Sequence, residues 1–597
     1  MNRLTKKIIL FAMLLVSLTA FGQVPQKPLF LKSLQLRFDS RVKFAQNRFQ
    51  QQFVNRPFSP ELLKNIRAKA DEQLREQGYY FADFSEVSTD IDSALQSVDL
   101  TISVKTNGVL RLDSLRITNR DSLPETLLGD VDDALAVYPG KIYTGSLSQS
   151  MLRNVTTIFE NHGFPLARIQ TQSFDFRELP NENEYRLDLS LHISPGDSVR
   201  IAYIKFPKQK NDITGYLQRL LRFQPDKLFD AQRVDRYSET LRRQDFLKNV
   251  RRPELLLDKK GNYFLSIDFE ETPSTTFDGI VGYIPPPATD PAASGYFTGL
   301  VNVGIRNLFG GGRKIHVFWQ KQDRFSDEFR VGYREPFVAG LPFHFEAGMH
   351  RLVRDTTYIE WQYLGRLELP LSDALSAFVD LSSRNVSPDS LASRVLRLPR
   401  TESVITETGI RWDARDDFRN PRRGVFLEIA FGISRQSNIG PDYLLAEDSL
   451  KTSVSLQKMR ADLGVFLPTF RNQLIANNFH ANFIESNGEV LRLTDQVWFG
   501  GATTIRGFRE AQFFAKRVFW LNSEYRFLLG PDTRLFVFTD NGYFERESPD
   551  NLQKWLTSYG MGLRLTAPLG VMQIDFGLER GAPFREGKLH IRLINDF

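Results

Sequence analysis

The chain has no cysteine among its 597 residues. That absence excludes disulfide scaffolds, thiolate metal sites and a lipid anchor, because lipidation of an exported chain needs a cysteine at the mature N-terminus. It fits a compartment outside the cytosol, where a thiol-free chain cannot be mis-oxidised. No Lys/Arg run is present either, so nothing in the charge pattern points to nucleic acid. Long apolar runs are equally scarce. The stretch from Ile8 to Phe21 is about 14 residues, short of the roughly 20 that a spanning helix needs. Arg3, Lys6 and Lys7 precede it, and it ends in the small-x-small stretch Ala20, Phe21, Gly22. It reads as a secretory signal peptide over residues 1–22. Its removal takes the formal charge from +6 to +3.

Catalytic signatures are missing too. There is no H-E-x-x-H, no G-x-S-x-G and no Walker loop, and Gly310, Gly311, Gly312 and Arg313 lack the following G-K-[ST] and read as a turn. The seven histidines are scattered without metal-ligand spacing. These absences predict a non-enzyme with no metal and no cofactor.

What the chain has in quantity is phenylalanine: 49 Phe and 18 Tyr against 6 Trp, a bias that suits lipid-facing strands and interface girdles. Two textures divide the mature chain. From 24 to 272 helical and strand periods mix, and a unit recurs. Helix-like stretches end at Gly78-Tyr79, Gly163-Phe164 and Asp245-Phe246, spaced 85 and 82 residues apart. Gly or Asp suits the left-handed residue that stops a helix, and the aromatic after it starts a strand. Alternating strands follow at Ser97 to Val104, Tyr185 to Ile193 and Tyr263 to Phe269. The reading is three small α+β units, each strand, helix, helix, strand, strand, over 24–106, 107–196 and 197–272.

From 273 to 597 the pattern is alternation broken by turns, in sixteen segments beginning near Phe277, Phe297, Arg313, Glu328, Pro342, Tyr358, Leu375, Ser403, Gly424, Val454, Gln473, Val518, Arg534, Ser558, Val571 and Gly587. Each segment has an apolar and a polar face. Met572, Ile574 and Phe576 oppose Gln573 and Asp575; Leu589, Ile591, Leu593 and Phe597 oppose His590, Arg592 and Asp596. Alternation alone fits a soluble sandwich as well as a membrane barrel around a wet lumen. Export, the even count and the terminal aromatic Phe597 favour the barrel, which must close because lipid cannot satisfy open backbone groups. The expected fold is three α+β periplasmic repeats followed by a 16-stranded antiparallel transmembrane β-barrel in a bacterial outer membrane.

A long connection, about Glu489 to Val518, separates the eleventh and twelfth segments, and connections of that length are uncommon unless functional or disordered. It contains Trp498-Phe499-Gly500-Gly501 and Ile505-Arg506-Gly507-Phe508. The latter resembles the hallmark loop of the BamA/TamA superfamily of outer-membrane assembly and translocation proteins. Phe538-Thr539-Asp540-Asn541-Gly542 resembles that family's F-x-D-x-G strand, Asn307-Leu308-Phe309-Gly310 its N-L-x-G strand, and Asp413-Ala414-Arg415-Asp416 with Pro421 and Gly424 its D-x-R-D hairpin. The repeats resemble POTRA domains, and three of them with a compact barrel are closest to the TamA layout. The resemblance implies that the loop folds into the lumen, with Arg506, Gly507 and Phe508 as a latch whose Arg506 meets Asp540 and Glu524. Glu524 independently falls on the polar face of its strand; Asp540 shares parity with Phe536 and Phe538.

The barrel seam is a second candidate site. Pro285 and Pro286 end the first segment, proline being tolerated at sheet edges, and the short last segment carries Leu589, Ile591, Leu593 and Phe597. In the resembled family the seam admits client strands by strand addition. The implied partners are outer-membrane lipids, unfolded outer-membrane or secreted clients, and a periplasmic or inner-membrane partner through the repeats. The leading reading is an assembly or translocation factor that inserts or exports β-barrel-type clients through the seam; the alternatives are a two-partner-secretion transporter for a dedicated substrate and a passive pore or surface-binding barrel.

Overall fold

The computed structural model describes residues 29–594, apart from 180–182, 208–212, 273–274, 286–293, 322, 418–419, 448–449, 531 and 568–569. The signal peptide, Pro286 and Phe597 lie outside the described residues, as does the side chain of Leu593.

The first repeat is built from β1 (Phe30–Phe38), α1 (Gln46–Gln50), α2 (Pro60–Arg75), β2 (Asp83–Asp92) and β3 (Ser97–Lys105). Its sheet order is β1-β3-β2, with β1 and β3 parallel. The second is β4 (Val109–Ile117), α3 (Glu125–Ala136), α4 (Gly145–Asn161), β5 (Arg168–Leu179) and β6 (Glu184–Ser194), in order β4-β6-β5. The third is β7 (Tyr203–Lys205), α5 (Thr214–Leu220), α6 (Ala231–Arg242), β8 (Glu254–Leu257) and β9 (Tyr263–Ser266), in order β7-β9-β8. The same order recurs each time, with the last strand in the centre.

Local sequence explains the helices. Ser59 caps α2 by accepting from the Leu62 N–H, Pro60 occupies the first turn, and Leu62, Ile66, Ala70 and Leu74 bury at four-residue spacing. Thr144 caps α4 in the same way, and Met151, Val155 and Phe159 share one core with Leu187, Leu189 and Leu191 of β6. Each such buried side chain contributes about 1.5–3 kcal/mol. The first strands are shielded at their outer edges. Leu31 of β1 exchanges backbone hydrogen bonds with Asn55 and Arg56, and Leu110 and Leu112 of β4 bond residues 140–143. The outer edges of β2 and β5 carry no ladder among the described residues.

Two helix stops follow the expectation: Gly78 and Gly163 are left-handed, at φ +93° and +96°. Asp245 is not. It is buried, and its Oδ2 lies 2.6 Å from Lys314 Nζ and 3.6 Å from Arg306 Nε. Its carboxylate serves as the ion partner of two barrel strands, a role that backbone turn chemistry does not signal.

The chain forms two compact bodies: residues up to Ile201 with Asp226–Gln232, carrying the first two repeats, and Ala202–Pro225 with Arg233–Phe597, carrying most of the third repeat and the barrel. The barrel strands are β10 (Thr275–Ile284), β11 (Tyr296–Leu308), β12 (Arg313–Lys321), β13 (Asp327–Glu335), β14 (His344–Arg354), β15 (Tyr358–Pro370), β16 (Leu375–Pro388), β17 (Arg400–Asp413), β18 (Gly424–Gly440), β19 (Ser453–Phe470) and β20 (Gln473–Ser486). After a two-stranded ribbon, β21 (Val497–Phe499) with β22 (Phe513–Ala515), come β23 (Arg517–Leu528), β24 (Arg534–Arg546), β25 (Leu552–Ala567), β26 (Gly570–Glu579) and β27 (Lys588–Ile594). These sixteen barrel strands form one sheet in chain order. Among the described residues no ladder joins β27 to β10.

The polarity of this sheet decides between the two environments that alternation left open. Val281, Met561, Leu589 and Ile591 are each more than 60% exposed, whereas Glu524, Arg526, Asp540, Arg564 and Asp575 are buried. A soluble sandwich would show the reverse. Lipid solvates the outer face, and the charged set lines the interior. Among the described residues no helix is long and apolar enough to cross a membrane. Unboiled protein should therefore migrate faster than boiled protein in SDS gels; identical mobility would contradict a closed, detergent-resistant sheet.

Candidate functional site

The connection between β20 and β23 is not structureless. Trp498 and Phe499 pair with Phe514 and Phe513 in the β21–β22 ribbon, and the segment between them turns back through Gly500 and Gly501, both near φ +104°. Phe499, Ile505, Phe508, Ala515, Val518, Trp520, Phe544 and Leu556 form a buried cluster that joins the loop to β23, β24 and β25. Phe508 packs edge-on to Phe513 at 5.3 Å. Burial of this cluster makes the loop part of the wall.

The cluster carries Arg506 into a site where its side chain is 4% exposed. Its Nε donates to Asp540 Oδ2 at 2.9 Å and its Nη2 to Asp540 Oδ1 at 2.8 Å, a bidentate fork. Nη1 donates to Glu524 Oε1 at 2.7 Å, and the backbone N–H of Arg506 donates to Asp540 Oδ2 at 2.9 Å. The other Glu524 oxygen accepts from Arg526 Nε at 2.8 Å. The guanidinium lies 3.6 Å from the Phe538 ring centroid, and Asp575 Oδ1 stands 4.0 Å from Nη1. The parity that placed Phe536 and Phe538 beside Asp540 is thus accounted for. All three face the interior, and the Phe538 ring is the platform on which Arg506 rests.

Gly507 follows in the left-handed region at φ +87°. Its neighbour across the site is Gly577 of β26, where an added Cβ would come within 2.6 Å of the Gly507 nitrogen. At Gly560 of β25 an added Cβ would meet the Phe538 ring at 2.6 Å. The wall therefore has a slot, cut where its side chains are absent, into which the latch and its aromatic platform fit. Gly560 and Gly562 stand on the polar face in the sequence; that glycine alternation was the available signal, but its purpose needs the third dimension. Phe538, Asp575 and Gly577 are site residues that sequence reasoning did not single out.

The seam residues are placed separately. Leu589 and Ile591 face outward and are exposed, and Pro285 closes β10 on its outer end. The described residues of β27 all pair with β26, from Lys588 with Gly577 to Ile594 with Val571. None of these residues touches the Arg506 site directly, but His590 of β27 does: the Gly507 N–H approaches its Nε2 at 3.4 Å. The latch thus reaches the last strand.

An interior-charged, lipid-faced sheet preceded by α+β repeats defines a bacterial outer-membrane β-barrel protein with its repeats in the periplasm. The Omp85 superfamily domain model matches residues 307–586 of this chain. That match associates it, at a coarse level, with protein insertion or secretion at the outer membrane. Among solved structures it is similar to BamA from Haemophilus ducreyi lacking POTRA domains 1–3, at 12% identity and TM-score 0.48, covering 80% of this chain and 98% of that one. It is also similar to CdiB from Acinetobacter baumannii, at 14% identity and TM-score 0.45, covering 91% and 97%. CdiB from Escherichia coli gives 12% identity and TM-score 0.47, covering 89% and 98%. TM-scores below 0.5 leave the assignment resting on the family match and the chain's own geometry. A comparison with curated proteins finds no match.

Replacing Arg506 with Ala should leave Asp540 buried without its cation and cost about 3–5 kcal/mol, the range for breaking a buried pair from one side. Arg506→Lys keeps the charge, loses the fork and should fall between. Urea unfolding of the refolded barrel measures both. An Arg506→Ala chain with the wild-type midpoint would remove the latch from the list of structural supports.

Proposed function

We propose that this chain is an outer-membrane assembly or translocation factor, which inserts or exports β-barrel-type clients through the seam between β27 and β10, without catalysis. The observation that carries this reading is the last strand. β27 is the last strand of the sheet, is paired on the β26 side, and has no ladder on its other side among the described residues. An edge of unpaired N–H and C=O groups is a template for an incoming strand, and a client that is itself a β-barrel supplies strands of the required kind.

The repeats support the same reading. Among the described residues the outer edges of β2 and β5 carry no ladder, while those of β1 and β4 are occupied. β5 is twelve residues long and exposes Phe174 and Phe176 beside that edge. An extended apolar segment of an unfolded client, or a periplasmic partner, would find both backbone pairing and aromatic contact there. The latch adds control. It joins β23, β24 and β26 to a loop that also meets His590 of the last strand, so the state of the loop and of the seam are linked.

Depletion of the chain followed by quantitation of the outer-membrane proteome tests the proposal. Loss of several unrelated barrel proteins is the expected result. Loss of one secreted partner alone would replace it with dedicated two-partner secretion, and an unchanged proteome would make the chain a passive barrel.

A further inference from the structure

The loop that carries Arg506 has a second foot. Eleven residues earlier, at the end of the short helical turn Leu493–Asp495, the side chain of Asp495 is buried in the interior. Arg384 Nη1 of β16 donates to Asp495 Oδ1 at 3.0 Å, and Gln436 Nε2 of β18 donates to Oδ2 at 3.2 Å. Arg384 also donates to the backbone oxygen of Thr494. Three residues on, the Trp498 ring lies 4.2 Å from the guanidinium of Arg354 on β14. This foot stands on β14, β16 and β18, whereas Arg506 stands on β23 and β24. The loop therefore crosses the interior and ties one wall to another.

The two feet differ in what they leave behind on release. Asp540 takes its hydrogen bonds from Arg506 alone, so withdrawing Arg506 strands a fully buried carboxylate. Arg384 is shared. Its Nη2 also donates to Glu360 Oε2 of β15 at 2.9 Å, so the guanidinium stays paired when Asp495 leaves. Gln436 keeps Asn438 Oδ1 at 3.5 Å and the hydroxyl of Ser403 at 3.3 Å. Neither wall residue is orphaned, and Asp495, on a loop, can move to water.

We propose that Asp495 is a second positioning residue of the latch loop, and that its foot on Arg384 is the exchangeable one. The loop pivots on Arg506 while Asp495 and Glu360 share Arg384, and release of Asp495 opens an ion path through the interior. This rests on the reading of the loop as a latch and is independent of which client the seam admits.

The test uses the purified full chain in planar lipid bilayers, with urea unfolding as the second measurement. Asp495→Asn should raise open probability by about tenfold, the equilibrium equivalent of one charge-assisted hydrogen bond, and leave the urea midpoint near wild type. Glu360→Gln removes the competitor and should lower open probability. Unchanged opening in Asp495→Asn overturns the proposal. So does a urea midpoint lowered as far as in Arg506→Ala, which would make this foot as obligatory as the first. Opening that rises in Glu360→Gln overturns the exchange. Conductance is read without any client, so a proteome unaffected by depletion would remove the assembly function and leave this mechanism standing.

Discussion

The carboxylate of Asp540 sits in the wall of a barrel with no exposure to solvent, and the cation that balances it arrives from a loop 34 residues earlier in the chain. That pairing constrains everything around it. A buried carboxylate without a partner is expensive, so the loop must enter; a loop that enters must find room, so the wall must lack side chains along its path. Gly577 and Gly560 provide that room, and the Phe538 ring supports the guanidinium from below. Glu524 completes the site and hands its second oxygen to Arg526, which spreads one ion pair into a network along β23.

Networks of this kind are a consequence of inverted polarity. With lipid on the outside, every charged residue of the strands must either reach the interface or turn inward. Inward charges then meet one another at short range, in a dielectric lower than water, where pairing is strong and an orphan is costly. Arg366 with Asp380, Arg411 with Glu428 and Arg384 with Glu360 and Asp495 repeat the motif on the other strands. What distinguishes the Arg506 and Asp495 contacts is that one partner lies on a connection rather than on a strand. These pairs can register whether the loop is seated, which strand-to-strand pairs cannot.

The repeats and the seam use the opposite resource, backbone groups left open. Among the described residues β2 and β5 each have an edge without a ladder, and so does β27. Strand addition needs no particular side chain, so it accepts many sequences, as the proposed assembly role requires. Asp245 connects these two parts of the mechanism. Through Lys314 and Arg306 it ties the third repeat to β12 and β11, and β11 is the strand beside β10.

Much of this was legible from the sequence. Period-two alternation and turn residues located sixteen strands, because a strand's faces are set by its own residues. Repeated helix ends located the three units for the same reason, and Gly78 and Gly163 carry their left-handed turns as read. Motif resemblance brought Arg506, Glu524 and Asp540 to attention before their geometry was known. Three things were decided by tertiary structure alone. The roles of Phe538 and the glycine slot depend on what the loop places against them. Asp245 looked like a helix stop and is an ion partner, because its neighbours come from strands some 60 to 70 residues away. Asp495 carried no signal at all, since its partners Arg384 and Gln436 meet it only when the loop lies across the interior.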